Sequence, residues 1–222
     1  MTHRPPCTPI AAGSTRTRTT HRPARWGRAL LASAGLAAAL LLGGCSALVA
    51  QNPSSALKPV NAVADGADER VMLNGHDVVA YFTQGRHTLG AVQIKSVYEG
   101  VTFRFASADH KALFDANPTR YLPQYGGYCA NGMAYGIPWG GDANTWLMVD
   151  GKLYINGGAS SKAAFLLDVP GNIKLADKYW NEEARGSNSF WQRTKRLVFR
   201  GPHYTSGEEL DRLVKEAAAR KG

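Results

Sequence analysis

One stretch of this chain cannot belong to its fold. Residues 1–44 carry six arginines (Arg4, Arg16, Arg18, Arg22, Arg25 and Arg28) and no aspartate or glutamate. Within them an apolar run of fourteen residues extends from Ala29 to Leu42, and Gly43-Gly44-Cys45 follows. A basic segment, a short apolar segment and small residues, in that order, form an export signal. Crossing a bilayer takes roughly 20 apolar residues, so this run is too short to be a comfortable transmembrane helix. The part that has to fold therefore starts at Cys45. Its 178 residues are enough for one domain with a real core.

Setting the signal aside changes the charge argument. The whole chain has 26 basic and 17 acidic side chains, a net of +9. Without the six arginines the balance is 20 to 17, or +3. The basic character belongs mostly to the discarded peptide, so nucleic-acid binding loses its electrostatic case. Cysteine usage narrows the chemistry in the same way. Cys7 leaves with the signal, and Leu40-Leu41-Leu42-Gly43-Gly44-Cys45 resembles the lipobox of bacterial lipoproteins. That resemblance implies cleavage before Cys45, acylation of its thiol and a membrane anchor, which several acyl chains make firm where one would be marginal. Ser46 at the next position resembles lipoproteins sent to the outer membrane, which implies the periplasmic face of the cell envelope. Cys129 is then left without a disulfide partner in an oxidising compartment. Such a thiol is either buried and inert, or kept for metal or redox chemistry.

Residues 45–65, with Asn52-Pro53-Ser54-Ser55 and Lys58-Pro59, show little periodicity and read as a flexible tether. A domain over 66–186 and a C-terminal extension over 187–222 follow. The run Val78-Val79-Ala80-Tyr81-Phe82 predicts a strand. The segments 92–98 and 101–105 around Glu99-Gly100 predict a hairpin, and 145–149 with 152–155 around Asp150-Gly151 a second one. Ser107 predicts the cap of a helix over 108–116 with Ala112, Leu113 and Ala116 at helical spacing, stopped by Asn117-Pro118. Ser160 or Ser161 opens a short helix through Leu167, and another covers 173–184. Ser206-Gly207-Glu208-Glu209 is a capping box that opens a terminal helix. Hairpins interleaved with short helices, without a βαβ rhythm, predict an α+β fold: a small antiparallel sheet of hairpins packed with short helices.

Several segments in order carry a family resemblance. They are Asn74-Gly75-His76-Asp77-Val78-Val79-Ala80-Tyr81-Phe82, Tyr98-Glu99-Gly100, Phe103-Arg104-Phe105-Ala106-Ser107, Tyr121-Leu122-Pro123-Gln124-Tyr125-Gly126-Gly127-Tyr128-Cys129-Ala130 and Val149-Asp150-Gly151-Lys152-Leu153-Tyr154. Together, over 74–157, they resemble the YHS domain in its exported bacterial form. YHS domains accompany copper-transporting ATPases and oxygenase components, where paired cysteines bind metal. This chain has Ala80 and Ala106 where those relatives carry the paired thiols, so the metal role is not carried over with the fold.

The residues themselves nominate a site. Cys129, with Met133 four positions on and His76 and His110 in the neighbouring motifs, supplies thiolate, thioether and imidazole, a donor set that suits Cu(I). The spacing is not that of a structural zinc site. His87 reads as solvated, His203 has no assigned chemistry, and Asp77 and Asp142 read as turn residues that hydrogen-bond their own backbone. Gly126-Gly127 lacks the lysine and helix context of a phosphate loop. Neither Gly-x-Ser-x-Gly nor His-Glu-x-x-His occurs, so hydrolase readings have no anchor. The expectation is an envelope-anchored binding module rather than an enzyme, with copper as its ligand. The alternatives are a thiol redox protein using Cys129, or a scaffold that binds another envelope protein through its terminal helix.

Overall fold

The computed structural model describes Leu57 and residues 59–220. The architecture is α+β. Strands β1 (Ala62–Asp65), β2 (Asp68–Met72), β3 (Ala91–Tyr98) and β4 (Val101–Phe105) form one sheet in the order β1-β2-β4-β3. The β3–β4 hairpin turns at Glu99 and Gly100, with φ of 50° and 72°, the left-handed pair that a two-residue turn requires. This sheet is mixed rather than purely antiparallel, because β2 runs parallel to β4 with Val71 opposite Thr102. β5 (Asp142–Val149) and β6 (Lys152–Asn156) make a separate antiparallel hairpin. Its turn is Asp150-Gly151, with φ of 49° and 71°.

β6 divides the interior. Side chains alternate across a strand, so Leu153 and Ile155 enter one apolar cluster while Tyr154 enters another. The first cluster holds Phe103, Phe105, Phe114 and Tyr81. The second holds Tyr125, Tyr128, Met133, Phe165 and Tyr179. A strand buried on both faces cannot show the half-polar alternation of a surface hairpin, and β6 has none past Lys152.

The helices are α1 (Ala80–Thr83), α2 (Ala108–Ala116), α3 (Pro118–Tyr121), α4 (Ala130–Met133), α5 (Ala159–Phe165), α6 (Val169–Tyr179), α7 (Ser189–Val198) and α8 (Gly207–Ala219). Ser107 caps α2 by accepting from the His110 N–H at 3.2 Å, and Ser206 caps α8 by accepting from Glu209 N–H at 3.2 Å. Three expectations are corrected. Residues 78–82 are a turn leading into α1 and not a strand, because the Asp77 carboxylate takes up the N–H groups of Val79 and Ala80. Helix α2 buries His110 and Phe114 and leaves Ala112, Leu113 and Ala116 exposed, so its inner face is i, i+4 from the histidine. Ala62–Asp65, at the end of the expected tether, is a strand pinned to β2. Among the described residues no helix is long and apolar enough to cross a membrane.

Candidate functional site

The chain reaches Cys129 through a tight turn, Gln124–Gly127, in which Tyr125, Gly126 and Gly127 all have positive φ. Gly126 allows a close approach: a Cβ there would run into the Pro59 carbonyl, and its own carbonyl accepts from Asn61 N–H at 2.8 Å. This turn aims Cys129 at the start of α4. The Cys129 N–H donates to the Trp139 carbonyl at 2.9 Å. Its sulfur accepts from Gly132 N–H at 3.3 Å and lies 3.0 Å from the Ser161 hydroxyl. Gly157 borders the thiol so closely that a Cβ would stand 3.4 Å from Sγ.

The thiol residue, only 3% exposed, forms part of the wall of a cavity of about 400 Å³. Asn131, Trp139, Ser161, Tyr204 and Leu210 complete its main lining. The Cys129 loop and α5 supply one side, and the C-terminal extension supplies the other. Asn131 borders the cavity, and its Oδ1 is turned away from solvent without a hydrogen-bond partner. Cavities of this size with a few polar groups on an apolar lining suit small organic ligands. The extension is fastened beside the cavity by His203, whose ring stacks on Tyr135 at 5.5 Å and whose Nε2 lies 2.9 Å from the Ala134 carbonyl. Farther in, burial pushes the Tyr125 hydroxyl well above the usual phenol range, with the Asp177 carboxylate adding to it. Tyr125 is thus a donor, giving its hydrogen to Asp177 at 2.9 Å.

The other expected donors have separate surroundings. His110 is buried; its Nδ1–H donates to Asp77 Oδ2 at 2.6 Å, and Nε2 lies 3.1 Å from the Thr83 hydroxyl. Asp77, wholly buried, accepts also from Ala106 N–H at 2.8 Å, so the pair ties α1, β4 and α2 together. His76 directs Nδ1 to the Leu73 carbonyl at 2.9 Å, and its ring lies 6.0 Å from that of His87. Met133 is fully buried in the second apolar cluster. Among the described residues no three His, Cys, Asp or Glu side chains are grouped to hold a metal ion. Cys45 lies outside the described residues.

Asn131, Tyr204 and Leu210 carry no signal in the sequence that marks them as cavity residues. Ser161 does carry one, since it stands in a pair of serines at a helix start and only one is needed for a cap. In the structure the cap position of α5 falls to Gly158, which frees Ser161 to meet the thiol. Comparisons of the chain with family models, characterised proteins and solved structures give no match.

Proposed function

We propose that this chain is an exported, lipid-anchored binding module of the YHS type, whose ligand is a small organic molecule held in the cavity at Cys129. The observation that carries the reading is the cavity itself, about 400 Å³, in whose wall the Cys129 thiol and the Ser161 hydroxyl meet beside an apolar lining. Cys129 and Ser161 form a polar point in that wall, and Trp139 and Leu210 supply apolar contact. Copper fits these residues poorly. His110 is engaged at both ring nitrogens, Met133 is committed to the core, and among the described residues no group of three His, Cys, Asp or Glu side chains gathers around the thiol. The anchor is Cys45, and Cys45→Ala should release the protein from the membrane fraction or stall it as precursor.

The cavity can be closed without disturbing the fold. Gly140 lines it, and a Cβ there meets nothing within 4 Å, so Gly140→Trp fills the space from its rim. Native mass spectrometry of protein released gently from the envelope should show a bound species on the wild type that Gly140→Trp lacks. A bare wild-type protein, or the same adduct on both, would contradict the proposal.

A further inference from the structure

Helix α7 is amphipathic the wrong way round. Surface helices of soluble proteins bury an apolar stripe and show their polar face to water. α7 docks through Ser189 and Gln192, which are 3% and 5% exposed, and through the half-buried Arg196. Gln192 Nε2–H donates to the Gly136 carbonyl at 3.1 Å and to Glu183 Oε2 at 3.1 Å, and Arg196 pairs with Glu183 as well. The outward side carries Trp191 and Val198, each 67% exposed, with Lys195 between them. Phe199, 69% exposed, extends the apolar surface past the helix end. From Ala184 to Gly207 there is no acidic residue, while Arg185, Arg193, Lys195, Arg196 and Arg200 are cationic, two of them, Lys195 and Arg196, paired with Glu183.

Exposed tryptophan, phenylalanine and aliphatic side chains interspersed with lysine and arginine are the chemistry of a helix lying in the headgroup region of a bilayer. We infer that α7 and Phe199–Arg200 rest on an anionic lipid surface, with Trp191, Val198 and Phe199 inserted and Arg200 at the phosphates. This inference rests on the proposed membrane anchoring and adds a second contact to it. The anchor raises the effective concentration of this second, weaker contact at the membrane. The surface would also set the orientation of the domain, bringing the cavity, which Leu197 and Tyr204 of the same segment line, close to the membrane.

The test uses the chain from Ser46 onward, which keeps every described element but lacks the acylated cysteine, so its outcome is independent of Cys45. Flotation with vesicles of phosphatidylethanolamine and phosphatidylglycerol should carry the protein, and phosphatidylcholine vesicles should carry much less. Arg200→Gln should weaken binding about fivefold. Trp191→Ser with Phe199→Ser should weaken it roughly tenfold or more while leaving the circular dichroism unchanged. Absence of flotation with every vesicle overturns the inference and leaves the face to a protein partner. Flotation that survives the Trp191→Ser, Phe199→Ser pair overturns it equally. Failure of the anchor itself is read elsewhere, in the fractionation of Cys45→Ala.

Discussion

Removing the Asp77 carboxylate should be among the most damaging single changes in the domain. Its two oxygens accept four hydrogen bonds: from Val79 N–H at 2.8 Å, Ala80 N–H at 3.3 Å, Ala106 N–H at 2.8 Å and His110 Nδ1–H at 2.6 Å. The residue is 0% exposed, so water cannot easily replace it. Hydrogen bonds to a charged group contribute about 1.5–3 kcal/mol each. They do not add, since the donors sit on adjoining segments and relax together. Breaking a buried pair by deleting one partner typically costs about 3–5 kcal/mol, and that range is the expectation for Asp77→Ala. With a urea slope of about 2 kcal/mol per molar, the unfolding midpoint should fall by about 2 M. Asp77→Asn keeps the volume and one acceptor but turns an amide hydrogen toward an N–H donor, so it should lose nearly as much. Native-state amide exchange should speed up first at Val79, Ala80 and Ala106. A loss below about 1 kcal/mol for Asp77→Ala would refute the view that this carboxylate holds α1, β4 and α2 together.

Gly126→Ala combines a positive φ with a backbone clash at Pro59, so it should cost more than the about 1–2 kcal/mol of strain expected for Gly151→Val, where φ is +71° and the Cβ meets open space. Urea midpoints in the reverse order would refute that ranking. Arg70 is 8% exposed, and none of its guanidinium nitrogens has a hydrogen-bond partner; burial lowers its pKa. Arg70→Met should therefore stabilise by about 1–3 kcal/mol, whereas Arg104→Met, which strips the partner of Asp65 and Asp68, should destabilise; thermal unfolding distinguishes the two. At Glu183 burial pushes the carboxyl pKa up, but hydrogen bonds from Arg196, Gln192 and Lys195 outweigh it and the net direction is down from 4.5. A depressed carboxyl pKa means that its stabilisation is complete above 4.5 and is lost as pH falls through the folded value. Amide exchange in α7 should accordingly rise below pH 4.5 in the wild type, and Glu183→Gln should flatten that acid limb.

What the sequence disclosed and what it withheld follow from the range of the interactions. Both hairpins and the caps at Ser107 and Ser206 were legible because turn chemistry and capping act over two to four residues. The strand expected at 78–82 failed because an apolar run of five fits a buried turn of helix equally well, while Asp77, read as a turn residue, does accept from its own backbone at Val79 and Ala80. The parallel contact between β2 and β4 was not legible, since it joins Val71 to Thr102 across the whole α1 and β3 excursion. The inner face of α2 was not legible, because the pairing of His110 with Asp77, 33 residues away in sequence, is what lets a histidine occupy the core. Cys129 was singled out on chemistry alone. Its cavity depends on Leu210 and Tyr204, residues that only tertiary packing brings to it. α7 escaped notice for a physical reason as well: a helix that docks by polar side chains breaks the pattern by which surface helices are recognised.

Elemental analysis of the wild-type protein released from the envelope, taken beside its native mass, addresses the central claim most directly. If the cavity at Cys129 holds an organic molecule, the protein will carry a discrete added mass with copper and zinc far below one atom per chain. Stoichiometric copper that disappears in Cys129→Ser, with no organic adduct, would contradict the account and return the site to metal chemistry.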